Sequence, residues 1–454
     1  MESYHHANEA QAAPDPEQGL QTTQPGDPEG AGKGRALAQR IVSRAGLARE
    51  MSSGLLATVC ELGLRAVAEL FEEEVTERVG PKGKHNPHRP GVRHGYDTGE
   101  VTLGGRRLQI RRPRMRSREG VELPLEVYRW AAEREILDRI ALQRVMVGVS
   151  MRNYPLALEP VSARDAHRPR STSKSSISRR FIRLTAHALD QMLARDLREL
   201  RPVALMIDGI HIAGRMLVVA MVIDMDGYKH PIALREGATE NARVVTDLLA
   251  DLVDRGLDSS HGLLVVIDGS KALAAAVRRT FGDMALIQRC IEHKIRNVVD
   301  YLQKEEQPWV TRSLRKILRR TDAELARREL DALARRLEET NIDAAKSLRE
   351  GLDELLTVHR LGIGQTLART LRTTNALESL NEIIRAKTRQ VKRWRDGDMR
   401  ERWVAAAMLE AESQFRRVQG YTELPALARA IYHATVLKQA PSQQTGGHAT
   451  DTAA

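Results

Sequence analysis

Apolar residues recur at two different periods along this chain, and the changes of period divide it. From Arg35 to about Thr76 the spacing is helical, with Leu55, Val59, Leu62, Val67 and Leu70 three to five positions apart. The pieces "EVTL" and "RRLQIRRP" then alternate about Gly104 and Gly105, which predicts a β-hairpin. Between 133 and 195 the helical period returns. It predicts a helix to about Val147, a turn, a short helix, and an amphipathic helix through Ile177, Phe181, Leu184 and Leu189. From Pro202 the pattern is that of strands: "VALMIDGIHI", "RMLVVAMVID" and "KHPIALREG", with Asp224 and Asp226 as turn residues between the second and third. An amphipathic helix ended by Gly256 follows, then the continuous apolar run "GLLVVIDG", the mark of a strand covered on both faces, then a helix started by Ser270. Three strands, helix, strand, helix is an α/β order, and the strand after the helical crossover is expected parallel to an earlier one.

Residues 291–365 return to helix, with Leu314, Ile317, Leu318, Leu325, Leu330, Leu333 and Leu337 as apolar positions and Thr321 with Glu324 as a capping box. A short coiled coil or helical hairpin, inserted into the α/β domain, is the expectation. In the last helical segment Leu377, Leu380 and Ile384 share one face, with Glu378, Asn381, Glu382 and Arg385 on other sides. The tails differ in composition. Residues 1–34 hold six acids against Lys33 alone, with four prolines, and residues 437–454 are comparably poor in apolar side chains, so both are expected to be disordered.

Charge adds a partner. A formal net charge of +11 and an isoelectric point of about 9.8 favour a polyanion, nucleic acid before an acidic membrane surface. Residues 88–120 carry nine arginines and no lysine against three acids. Guanidinium grips phosphate bidentately, so Arg107, Arg111, Arg112 and Arg114 on the hairpin are candidate DNA contacts, the plainer reading being a solvated charge run. The helix headed by Lys174, with Ser175, Ser178, Arg179 and Arg180, is compatible with a helix-turn-helix. A third basic stretch begins at Arg385, Lys387 and Arg389, where contact with a DNA backbone competes evenly with a solvated helix end. Trp394 is a candidate for stacking on a base, and Trp403 for core packing. Two cysteines, no signal-peptide pattern and no long apolar run lead to the expectation of a cytoplasmic, nucleoid-associated protein without a membrane partner.

Ile-Asp-Gly closes an apolar run twice, at Asp208 and at Asp268. In an open α/β sheet ligands gather at the carboxyl ends of strands, so two parallel neighbours would aim both carboxylates into one crevice. Neighbouring carboxylates repel unless they share a proton or a cation, and oxygen ligands suit Mg²⁺. A third carboxylate is expected from the last helical segment, with Glu378 preferred and Glu382 its rival.

Four motifs, "MIDGIHI", "VIDGSKAL", "QRCIEHKIRNV" and "TTNALESLNEIIRAKTR", together resemble those of the mutator-type transposases of bacterial insertion sequences. These belong to the DDE superfamily, with an RNase H-like catalytic core. The upstream "HGYDTGEVTLGGRRLQIRRPR" and "GVSMRNY" are similar to that family's N-terminal half, and the resemblance spans about residues 50 to 420. It implies a metal-binding triad of Asp208, Asp268 and Glu378, two Mg²⁺ ions with Mn²⁺ able to substitute, and Cys290 with His293 as a mark beside the core. A structural or substrate-positioning role is expected for that pair, since zinc would need about four ligands. The implied fold class is an α/β RNase H-like core with a helical insertion, preceded by a mainly helical DNA-binding region containing a basic β-hairpin. Its expected segments are 35–132 (N-terminal helix and hairpin, DNA-binding), 133–198 (helix-turn-helix-like), 199–294 (first part of the core), 295–365 (insertion) and 366–436 (second part). The implied function is a DNA transposase that binds terminal inverted repeats, cleaves a phosphodiester and transfers the freed 3′-OH to target DNA as a dimer or higher oligomer on double-stranded DNA. A regulator with an inert core and a metal-dependent nuclease that cuts without joining are the rival readings.

Overall fold

The computed structural model of the chain describes residues 57–84, 88–158, 171–237, 242–395 and 398–438. The acidic tail expected over 1–34, the start of the first helix and nearly all of the tail expected over 437–454 lie outside the described residues. The chain divides into two compact units, residues 1–132 with 158–169, and residues 133–157 with 170–454.

In the first unit a helix α1 over 57–79 precedes three strands, β1 (Gly91–Leu103), β2 (Arg106–Ser117) and β3 (Glu122–Leu123), and a short helix α2 (Glu126–Ala131). Strands β1 and β2 pair antiparallel from Gly91 opposite Ser117 to Leu103 opposite Arg106. Their turn is Gly104-Gly105, both left-handed at φ 57° and 76°, a two-residue connection whose twist matches the strands and which β-carbons would strain. The face of α1 differs from the expected one. Val59, Leu62 and Leu70 are exposed, and Phe71, Val75 and Val79 are buried against Val101, Ile110, Met115 and Leu125. The helix has apolar residues on more than one side, and the hairpin accepts the four-residue row that ends at Val79.

The second unit begins with α3 (Arg134–Met146) and α4 (Lys174–Leu193). Its sheet follows: β4 (Pro202–Ile212), β5 (Arg215–Asp224), β6 (Lys229–Gly237), a crossover helix α5 (Ala242–Asp254), β7 (Leu263–Ile267), α6 (Lys271–Phe281) and β8 (Ala285–Arg289). The order across the sheet is β6-β5-β4-β7-β8. The first three strands are antiparallel, and β7 and β8 run parallel to β4. Every residue of β7 is buried, as a strand covered on both faces requires. Asp224 accepts the N–H groups of Asp226 and Tyr228 and so builds the turn assigned to it. Strand β8 was not expected: it is five residues long and ends in Gln288 and Arg289, whose polarity hides a strand. Gln288 is buried without cost because its side chain exchanges hydrogen bonds with the backbone of Leu355 and Val358.

Helix α4 packs its Ile177, Phe181, Leu189 and Met192 face inside this unit, with the Phe181 ring 4.5 Å from that of Trp403. The helix-turn-helix-like segment is therefore joined to the sheet unit through its apolar face. The insertion forms α7 (Ile291–Val299), α8 (Gln307–Leu318), α9 (Ala323–Glu338), α10 (Ile342–Arg349), α11 (Leu352–Leu355) and α12 (Thr357–Arg360). These share one hydrophobic core from Ile295 to Leu356, a cluster of helices in place of the expected coiled coil or hairpin. The cap of α9 is Asp322, whose carboxylate accepts the N–H groups of Glu324 and Leu325, and Thr321 is not the capping residue. The chain ends with α13 (Gln365–Leu371), α14 (Asn375–Thr388), α15 (Met399–Glu412) and α16 (Leu424–Tyr432).

Candidate active site

Strand register brings the two Ile-Asp-Gly copies together. Ile207 of β4 lies opposite Ile267 of β7, so Asp208 and Asp268, one residue on, emerge side by side. They are not two equivalent strand ends, as the tripeptides suggested. β4 continues to Ile212 along β5, whereas β7 stops at Ile267. Gly269 accordingly takes a left-handed φ of 113°, while Gly209 stays in its strand. Asp208 is buried and 7% exposed; Asp268 is half-buried and accepts the Ser270 N–H at 2.8 Å.

Helix α14 adds the other side of the crevice. Its Leu377, Leu380 and Ile384 are buried as expected, but so is Asn381, whose amide donates to Asp208 at 3.1 Å. Glu378 sits one turn before Asn381 and is half-buried, whereas Glu382 is exposed. Thr374 Oγ1 donates to Glu378 at 3.4 Å, and His293 Nδ1 lies 3.9 Å from the same carboxylate. The Thr374 N–H donates to the buried Cys290 Sγ at 3.5 Å, and the Thr374 hydroxyl lies at the same distance from that sulfur. Cys290 and His293 are thus joined to Glu378 through Thr374. Sequence reasoning missed Thr374 and placed Asn381 near Glu378 without giving it a role. The signal for Asn381 was its place three residues after Glu378, on the same side of the helix.

Charge is crowded here. Burial and the neighbouring Asp268 push the Asp208 carboxyl up to about 6, with Glu378 adding to the rise. A hydrogen bond with Cys290 raises His293 to about 9, helped by the charges of Asp208 and Asp268. Burial pushes the Cys290 thiol up, but hydrogen bonds from His293 and Thr374 outweigh it and leave the thiol below its usual range. Two crowded aspartates, all-oxygen donors and the buried, unpartnered Asn381 Oδ1 form a donor set that fits a hard cation. Among the described residues no three His, Cys, Asp or Glu side chains already converge on one point. Asp208 and Asp268 are the residues that could hold an ion, with Glu378 as the third candidate.

The basic candidates fall into different settings. On the hairpin, Arg107 pairs with Glu100 at 3.0 Å and Arg112 with Asp97 at 3.3 Å, and Arg114 is held by Glu122. Arg111 is exposed, its guanidinium over the Tyr96 ring. Lys174 and Arg179 are exposed, while Arg180 is mostly buried, paired with Asp138. Past the catalytic-helix candidates, Lys387 pairs with Glu410 at 2.7 Å. Arg385 and Arg389 line a cavity of about 660 Å³ with His211 and Trp394. Trp403 is buried, edge-on to Trp394.

The sequence profile described as "Transposase, Mutator family" matches residues 38–418. The transposase of insertion sequence element ISRM5 from Rhizobium meliloti is 28% identical over 378 residues, covering 80% of this chain and 91% of that protein. That of IS6120 from Mycolicibacterium smegmatis is 29% identical over 311 residues, 66% of this chain and 91% of the relative. That of IS256 in transposon Tn4001 from Staphylococcus aureus is 24% identical over 385 residues, 81% and 91%.

Proposed function

This chain belongs to the Mutator family of transposases, and from that premise we propose that it is the DNA transposase of an insertion sequence. In this reading it binds the element's terminal inverted repeats, cleaves at their 3′ ends and joins those ends to target DNA. The observation that carries the reading is the meeting of Asp208 and Asp268 across β4 and β7, with Asn381 tying the helix of Glu378 to the same carboxylate. The strand order β6-β5-β4-β7-β8, interrupted by a helical insertion before α14, supports an RNase H-like core.

Asp208, Asp268 and Glu378 are the residues that would hold two Mg²⁺ ions, with Mn²⁺ able to substitute. Bound there, the metal supplies Lewis-acid stabilisation of the charge that builds on the phosphodiester oxygens during in-line displacement. The protein's own groups prepare the site. Asn381 fixes the direction of the Asp208 carboxylate, and Thr374 with His293 holds Glu378. His293, cationic at neutral pH, offsets part of the carboxylate charge and lets a DNA phosphate approach. Arg385 and Arg389, which line one cavity at the far end of α14, would grip the strand backbone. Joining two ends in one reaction calls for a dimer or larger assembly on double-stranded DNA.

The test is Mg²⁺-dependent cleavage and joining of DNA bearing the element's ends, by the wild type and by Asp268→Asn. The wild type should cut and join, and the variant should lose both by two or more orders of magnitude, on the order expected for a first-row role in catalysis. Equal activity overturns the assignment. Cutting without joining makes the protein a metal-dependent nuclease, and binding without chemistry makes it a regulator.

A further inference from the structure

A second basic cavity opens at the N-terminal end of α14, away from Arg385 and Arg389. It has a volume of about 580 Å³, and its walls include Glu292, Arg315, Arg319, Arg369, Arg372 and Asn375. Four guanidinium groups meet one carboxylate, and that carboxylate is already paired with Arg315 at 3.0 Å. Arg319 and Arg369 are exposed, and among the described residues Arg369 donates to the neutral Gln419 side chain, at 3.0 Å.

Arg372 makes this more than a patch of surface charge. It is 7% exposed, and its Nη1 donates to the Leu318 carbonyl at 3.1 Å. Its Nε is buried with no hydrogen-bond partner, and among the described residues no acid pairs with it. A buried charge without a counter-ion is destabilising unless something compensates it. A carbonyl is a weak answer, and the one carboxylate on the cavity wall, Glu292, is paired with Arg315. An anion completes the arrangement. The backbone N–H of Ile291, which follows Cys290, bonds to the Arg372 carbonyl, so the cavity is built onto the segment that carries Cys290 and His293.

We propose that this cavity is a phosphate-binding subsite that takes a backbone phosphodiester of the DNA strand entering the active site, with Arg372 at its floor and Arg319 and Arg369 at its mouth. Five residues separate Arg372 from Glu378, so a phosphate held here fixes a strand within a few nucleotides of the carboxylates. The subsite belongs to the insertion as much as to the core, because Arg315 and Arg319 lie at the end of α8. The insertion is thereby given a task in substrate positioning. This inference rests on the reading of the protein as an enzyme acting on DNA.

The test measures binding without chemistry, on the full chain without divalent metal, using duplex oligonucleotides of arbitrary sequence across a salt series. Each phosphate contact contributes about 0.9 to the slope of log affinity against log salt. The paired variant Arg319→Gln with Arg369→Gln removes exposed groups only and should fold. It should bind duplex about tenfold less tightly, with the slope reduced by about one to two. Arg372→Lys should keep the charge but lose part of the affinity, since an ammonium cannot replace the guanidinium fork. Unchanged slope and affinity in the paired variant overturn the subsite. So does a result in which inorganic phosphate stabilises the wild type but not the variant while duplex affinity stays equal, which would assign the cavity to the free anion. Asp268→Asn distinguishes the two proposals. If the protein has no DNA chemistry but the paired variant still lowers the slope, the subsite stands without the transposase reading. If chemistry is lost in Asp268→Asn while the paired variant binds normally, the transposase reading stands alone.

Discussion

Asn381 donates to Asp208 from a buried position and leaves its own carbonyl oxygen without a partner. Asn381→Ala should free the carboxylate to rotate and raise the Mg²⁺ concentration needed for half-maximal cleavage by about 10- to 100-fold, as loss of an orienting partner does at metal sites. A metal titration of activity reads this, and an unchanged requirement would remove Asn381 from the site. Two histidines outside the site give the protein a pH dependence with two arms. Burial, and then the nearby Arg372, lower His359 to about 4, so it folds as the neutral form. Its contribution is fully present above the unfolded value near 6.5 and is lost as pH falls toward 4, on the order of 3 kcal/mol. His230 shifts the other way, raised by its hydrogen bonds to Glu412 and Asp224. Its contribution is present below about 6.5 and is lost as pH rises through its elevated folded value. Urea midpoints across pH should therefore lose the acid arm in His359→Gln and the alkaline arm in His230→Gln. Parallel curves for wild type and variants would refute both assignments.

Among the elements, helix α9 separates a legible feature from an illegible one. In the sequence a capping box with Glu324 points to Thr321. The backbone chooses Asp322, because its carboxylate reaches two N–H groups at once. Asp322→Ala should cost about 1 kcal/mol and Thr321→Ala much less, a difference that paired denaturation curves resolve. The face of α1 is a similar case. Periodicity named a helix correctly but not which of its apolar rows is buried, since Val59, Leu62 and Leu70 fit the period as well as Phe71, Val75 and Val79 do. Only the hairpin's own apolar residues make that choice. β8 was invisible because its inward-facing Gln288 satisfies its polar groups against Leu355 and Val358, partners far along the chain.

Among the described residues of the second unit, one hydrophobic core lies under the sheet and another inside the insertion. They are joined by polar links such as the Thr357 hydroxyl to the Ile287 carbonyl at 2.6 Å. Leu330→Ala, fully buried in the insertion, should cost about 2–5 kcal/mol. The loss should appear as faster hydrogen exchange in α8 to α10, with β4 and β7 keeping their protection, if the cores open separately. Equal acceleration in both would show one cooperative unit instead. The sequence alone determined what depends on neighbouring residues. Strands β4 to β7, the Gly104-Gly105 hairpin, the two aspartates after apolar runs and the basic balance all follow from local period, turn chemistry and composition. The tertiary structure decided which distant residues meet. The parallel register of Ile207 with Ile267, the burial of Asn381 against an aspartate 173 residues away, and the unpartnered Nε of the buried Arg372 result from packing distant elements together. Register and adjacency are properties of pairs of surfaces, and no stretch of one surface contains the shape of the other.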